Sequence, residues 1–123
     1  MVGRIRDVYE QTSIVELVTS PRFRMAVQMK GDERPFVYQG MGLRFGMSPM
    51  GSVMALQPEM RLKDNQSATI TTTGLSGNFP AGLPVGELTD THGLSDGGLL
   101  EGRVELSSEL QNLREVAVLI PYR

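Results

Sequence analysis

The chain has 123 residues, a net charge of −2 and no cysteine, which excludes disulfides, thiolate metal sites and cysteine nucleophiles. Its 40% apolar and 21% charged content suits one folded domain, or two very small barrels sharing a seam, and argues against disorder. Basic residues are scattered instead of forming a nucleic-acid or anionic-lipid footprint, and no apolar run approaches the roughly 18 to 20 residues that span a bilayer.

Period-two patterning dominates from the start of the chain. Val2 to Tyr9 and Ser13 to Val18 read as strands. Phe23 to Met29 follows, with Phe23, Met25, Val27 and Met29 sharing a face. Gly31-Asp32 makes a plausible hairpin turn into Pro35 to Gln39, where Phe36 and Tyr38 alternate against Val37. Gly40 to Gly51 is glycine- and methionine-rich and reads as irregular. Ser52 to Leu56 and Ala68 to Thr73 are further strands, separated by the polar turn Lys63-Asp64-Asn65-Gln66.

Beyond the next turn, Leu83 to Leu88 is a strand and Thr89 to Gly98 a surface loop carrying the lone histidine, His92. Leu99 to Leu106 is a strand. Ser108 to Gln111 has capping-box spacing and predicts one helical turn. Val116 to Ile120 is a continuous apolar run, as expected of a buried closing strand, or of one left exposed where a segment outside this chain completes its barrel. Area scaling puts the surface of such a folded chain at roughly 6,500 Å². About eight short strands with turn signals between them predict an all-β fold, a small barrel or a sandwich.

The turn before Leu83 is the most informative stretch. Gly74, Gly77, Gly82 and Gly86 alternate with Leu75, Phe79, Pro80, Leu83, Pro84 and Val85. Glycine opens backbone conformations closed to other residues and proline removes a donor, so the segment cannot be helix. It is also too apolar for a solvated linker. The reading is a structured turn pinned by buried Leu75 and Phe79.

Reactive constellations fare poorly. A triad would need His92 with Asp90 or Asp96 and an activated serine, and Ser76 is the tempting one. Its surroundings, Gly-Leu-Ser-Gly-Asn, are not the Gly-x-Ser-x-Gly elbow. One histidine and no cysteine cannot build a typical zinc site. Met41, Met47, Met50, Met54 and Met60 could offer thioethers to copper(I), but methionine is also the usual filler of irregular apolar gaps and adaptable contact surfaces. Gly40 to Gly46 is one residue too long for a dinucleotide fingerprint and precedes Pro49 instead of a helix. The expectation is a non-catalytic β domain without cofactor or metal, with Phe45, Met47 and Met50 as candidate partner contacts. Two other readings stay open: a degenerate chymotrypsin-like hydrolase using Ser76 and His92, and methionine-based copper(I) binding.

The stretch Thr72 to Gly86 resembles a signature of the MreC family, Thr-Ser-Gly-Leu-Gly-Gly-x-Phe-Pro-x-Gly-Leu-Pro-Val-Gly. Two further blocks are similar in order and spacing: Val2-Gly3-Arg4-Ile5 with Thr19-Ser20-Pro21 and Phe23, and Val104-Glu105-Leu106 through Leu113 to Leu119. Residues Gly40 to Gln66 match poorly, and Asp64-Asn65-Gln66 stands where the family has Val-Gly-Asp. The resemblance implies a β-barrel domain spanning residues 1–123, the second part of the family's extracytoplasmic β region. A transmembrane helix, a coiled coil and a first β segment would precede it, so any membrane attachment would come from that anchor. It further implies a periplasmic scaffold of the elongasome, active in cell shape and peptidoglycan synthesis. Its partners would be the elongation transpeptidase (a penicillin-binding protein), MreD, the MreB system and its own copies, with no nucleic acid. The motif residues Gly74, Leu75, Gly77, Phe79, Pro80, Gly82, Pro84 and Gly86 would then be architectural.

Overall fold

The computed structural model describes residues 1–75, 79–93 and 98–120. Eight strands run in chain order: β1 (Gly3–Val8), β2 (Ser13–Leu17), β3 (Arg24–Met29), β4 (Phe36–Gly40), β5 (Met50–Leu56), β6 (Ala68–Thr72), β7 (Pro84–Gly93) and β8 (Leu100–Glu105). Short 3₁₀ turns occupy Pro58–Met60 and Ser108–Gln111. The all-β expectation holds, and of barrel and sandwich the fold is a barrel. Six strands close in the order β3-β4-β5-β8-β7-β6, while β1 and β2 form a separate two-stranded ribbon.

The alternation in the sequence dictates which side chains fill the barrel. Every one of its strands contributes to a nearly or fully buried layer: Val27, Tyr38, Val53, Ile70, Leu88 and Val104. Full burial of an aliphatic side chain contributes roughly 1.5–3 kcal/mol, so this layer supplies much of the driving force for closure. Tyr38 carries the one hydroxyl among them. It donates to the Val18 carbonyl at 2.7 Å, and burial pushes its ionisation far above the ordinary range. Phe23 plugs one end of the barrel, edge-on to Tyr38 at 6.3 Å. Leu56, Met60 and Leu100 are also buried, which makes Met60 core filling.

Turn chemistry follows the local sequence. Gly31 takes φ +85° in the β3–β4 hairpin. Beside it the Arg34 guanidinium hydrogen-bonds the Asp32 carboxylate at 3.0 and 2.7 Å, and these bonds hold that carboxyl down at about 2. The pair is solvent-facing, so its contribution to stability is small. The polar turn after β5 has Asn65 at φ +62°, with the Gln66 amide bonded to the Lys63 carbonyl.

Several expectations need correction. β7 does not stop at Leu88. A register shift between Leu88 and Asp90 re-phases it, and it runs on to pair Thr91, His92 and Gly93 with Gly102, Glu101 and Leu100. His92 is therefore a strand residue. Val116 to Ile120 is neither buried nor strand: Val116, Val118, Leu119 and Ile120 are all exposed. The reason is topological, since pairing of β3 with β6 closes the barrel and leaves no barrel edge for another strand. The helical turn is capped by Ser107, whose Oγ accepts from the Glu109 amide at 3.2 Å. Gln111 makes no capping box; its side chain donates to the Met47 carbonyl at 2.7 Å.

Candidate functional site

Four features could carry function: the Gly/Pro corner, the strand bearing His92, the methionine-rich loop, and the ribbon. Thr72 makes most of the hydrogen bonds that hold the corner among the described residues. Thr72, fully buried at the end of β6, donates its N–H to the Leu83 carbonyl at 2.9 Å, and its carbonyl accepts from the Gly82 amide at 2.9 Å. Its hydroxyl donates to the Pro80 carbonyl at 2.6 Å and accepts from the Leu83 amide at 3.0 Å. Four hydrogen bonds on one residue fix the return of the chain into Pro84, the first residue of β7.

The motif residues divide by physical role. Gly82 takes φ +84° with open space where a side chain would stand, so the demand there is conformational. At Gly86 it is steric, because an added Cβ would strike the Glu105 carbonyl and the Val104 side chain across the barrel wall. Gly74 would meet only an ordinary contact with Ala81. Phe79 is partly buried against the core, its ring 6.1 Å from Phe23. Leu75, expected to be buried, is 72% exposed, since the bonding of Thr72 and the ring of Phe79 already hold the turn. Pro80 is exposed, and Gly77 lies outside the described residues. Gly82→Val should destabilise the fold by about 1–3 kcal/mol through its left-handed backbone. Gly82→Asn should cost less, because asparagine tolerates that region. Thermal denaturation of the two variants checks both.

His92 sits on the outer face of the barrel between two carboxylates. Its Nδ1 is 3.8 Å from Asp90 and its Nε2 3.6 Å from Glu101, both too long for hydrogen bonds. Nothing in this pair holds the imidazole in one tautomer, as a triad requires. Ser76 and Asp96 lie outside the described residues. Beside His92 a polar groove of about 730 Å³ is lined by Arg61, Lys63, Asp64, Thr89, Asp90 and Thr91. Among the described residues no group of three His, Asp or Glu is placed to hold a metal ion.

The methionine-rich loop brings Met41, Met47 and Met50 around a depression of about 40 Å³ whose wall includes Arg44. A guanidinium in the same wall opposes a copper(I) cation electrostatically. Phe45, at the loop apex, is fully exposed and Met47 is half exposed. Met50 is more sheltered, as the first residue of β5.

Sequence reasoning missed the ribbon as a surface. β1 and β2 pair with each other, with a register shift between Ile5 and Asp7. That shift puts Val8 opposite Ser13, on the face where Ile5 meets Val15 and Gly3 meets Leu17. Ile5, Val8, Val15 and Leu17 are all exposed and form one apolar stripe. The other face is tied to the barrel: Arg4 bonds Glu16 at 2.8 Å and lies 5.4 Å from the centroid of the Phe23 ring. The bulge was the missing signal, because strict alternation from Ile5 would place Val8 on the opposite side.

The fold has close counterparts among solved structures. One MreC structure superposes with a TM-score of 0.76 at 19% identity, covering 92% of this chain and 61% of that one. MreC from Pseudomonas aeruginosa gives 0.70 at 20% identity, covering 85% of this chain and 64% of that one. The chain thus spans somewhat under two thirds of the length of these neighbours. No match occurs among curated proteins. The family model for the barrel core of the rod shape-determining protein MreC matches residues 1–120. With that match over nearly the whole chain, and with the closed barrel behind it, the protein belongs to the MreC family.

Proposed function

We propose that this domain is a non-catalytic scaffold of the cell-elongation machinery, held on the outer face of the inner membrane by a part of the protein outside this chain. In this reading it docks the elongation transpeptidase, connects to MreD and the MreB system, and contacts its own copies. Among the described residues no helix is long and apolar enough to cross a membrane, so an anchor would be supplied elsewhere.

The observation that carries the reading is the ribbon. It stands outside a closed barrel, its strands pair only with each other among the described residues, and it presents a four-residue apolar stripe. Unpaired strand edges are ready templates for added strands, and apolar side chains beside them supply affinity.

Val15→Glu in the full-length protein tests the proposal. The residue is exposed, so folding stability should stay within about 0.5 kcal/mol of the parent. Recovery of the transpeptidase or of a second copy by co-purification should fall sharply. Undiminished recovery of both would count against the ribbon as the docking surface.

A further inference from the structure

A second surface, on the loop between β4 and β5, fits a different partner. Met41, Leu43, Phe45 and Met47 are all exposed, Phe45 completely, and they lie on one loop. Gly42 and Gly46, at φ +83° and +75°, bracket the apex, and the Met47 amide closes it onto the Arg44 carbonyl at 3.1 Å. The base is fastened on both sides. The Gly42 amide donates to the Thr19 carbonyl at 2.7 Å, and the Gln111 side chain holds the Met47 carbonyl. Four apolar side chains are thus presented to solvent by a loop built to present them.

The same contacts gather arginines that are scattered in sequence. Gln39 bonds both the Pro21 carbonyl, at 2.7 Å, and the Arg24 guanidinium, at 3.1 Å. This draws the turn bearing Arg22 and the start of β3 against the root of the loop, which itself carries Arg44. None of Arg22, Arg24 and Arg44 makes an ion pair among the described residues. No acidic residue occurs between Glu16 and Asp32 or between Glu33 and Glu59. Carboxylates border this region at Glu16 on β2, at Glu105, in register with Met50 on β8, and at Glu109 in the 3₁₀ turn. We infer that this end of the barrel docks on an anionic phospholipid surface, with Leu43 and Phe45 entering the acyl boundary and the three arginines meeting lipid phosphates. Exposed apolar side chains on one loop, with guanidinium groups that lack an ion pair gathered at its root, match an interface in which phosphates border the acyl chains. This contact is additional to any anchor elsewhere in the protein, and it uses residues other than those of the ribbon stripe.

The chain contains no tryptophan, so Phe45→Trp places a single reporter at the apex. The 123-residue chain carrying it, checked for its β-type circular dichroism, is titrated with phosphatidylglycerol-containing vesicles and with pure phosphatidylcholine vesicles. The expected result is a blue-shifted emission with the anionic vesicles and affinity about tenfold or more above that for the neutral ones. Converting Arg22, Arg24 and Arg44 to serine should abolish that preference. Emission unmoved by either vesicle, or equal affinity for both, would overturn the inference. So would Phe45→Ser removing a protein partner from the full-length protein while no vesicle binds, which would make the apex a protein contact.

Discussion

Phe23→Ala is expected to remove about 3–5 kcal/mol of folding stability, the usual range for deleting a buried aromatic ring. Phe23 is fully buried and touches three separate parts of the molecule: the Tyr38 ring inside the barrel, Phe79 in the Gly/Pro corner, and Arg4 on the ribbon. Truncation would open a cavity that Tyr38 and Arg4 cannot fill, since one is bonded to the Val18 carbonyl and the other to Glu16. The loss is comparable with the whole stability of many small domains, about 5–15 kcal/mol. Urea denaturation of the variant measures it directly. Phe23→Leu, which keeps most of the volume, should be clearly milder. A cost below 1 kcal/mol for the alanine variant would show that corner, barrel and ribbon do not share this ring as a hub.

Thr72→Val is expected to cost about 2–4 kcal/mol, although valine matches threonine in shape. The hydroxyl satisfies the Pro80 carbonyl and the Leu83 amide, and each group left unpaired carries a penalty of about 1–3 kcal/mol. Thr72→Ser keeps the hydroxyl and gives up one methyl, so it should cost about 1 kcal/mol. The order of the two variants is the test. If serine were the worse substitution, methyl packing would dominate and the hydrogen-bonded account of the corner would be wrong.

Much of the barrel was legible because its signal is local. Phe23 to Met29 and Phe36 to Tyr38 alternate cleanly, and the structure buries the faces that the alternation marks. Three things escaped because they depend on pairing between distant segments. The extension of β7 past Leu88 required a bulge that only β8 reveals. The exposure of Val116 to Ile120 was one of two readings of that run, and only closure between β3 and β6 decides it. The burial assigned to Leu75 failed because Thr72, an ordinary polar residue in sequence, had already fixed the turn.

The candidate surfaces were legible in the same uneven way. Phe45, Met47 and Met50 drew notice by composition, and the structure separates exposed Phe45 from the more sheltered Met50. Arg22, Arg24 and Arg44 looked scattered, since nothing local shows that Gln39 draws their segments together. The ribbon stripe was hidden by a single extra residue between Ile5 and Asp7. Phe79 and Gly82 stood out in advance because ring burial and left-handed backbone leave marks in composition.

The central claim is that the corner shapes the barrel while outward apolar surface makes the contacts. Photocross-linking from benzoylphenylalanine at position 15 of the full-length protein, in the native envelope, tests it most directly. The account predicts adducts with a penicillin-binding protein or with a second copy of the protein. Adducts confined to the same polypeptide, or none from a folded and membrane-localised protein, would contradict it.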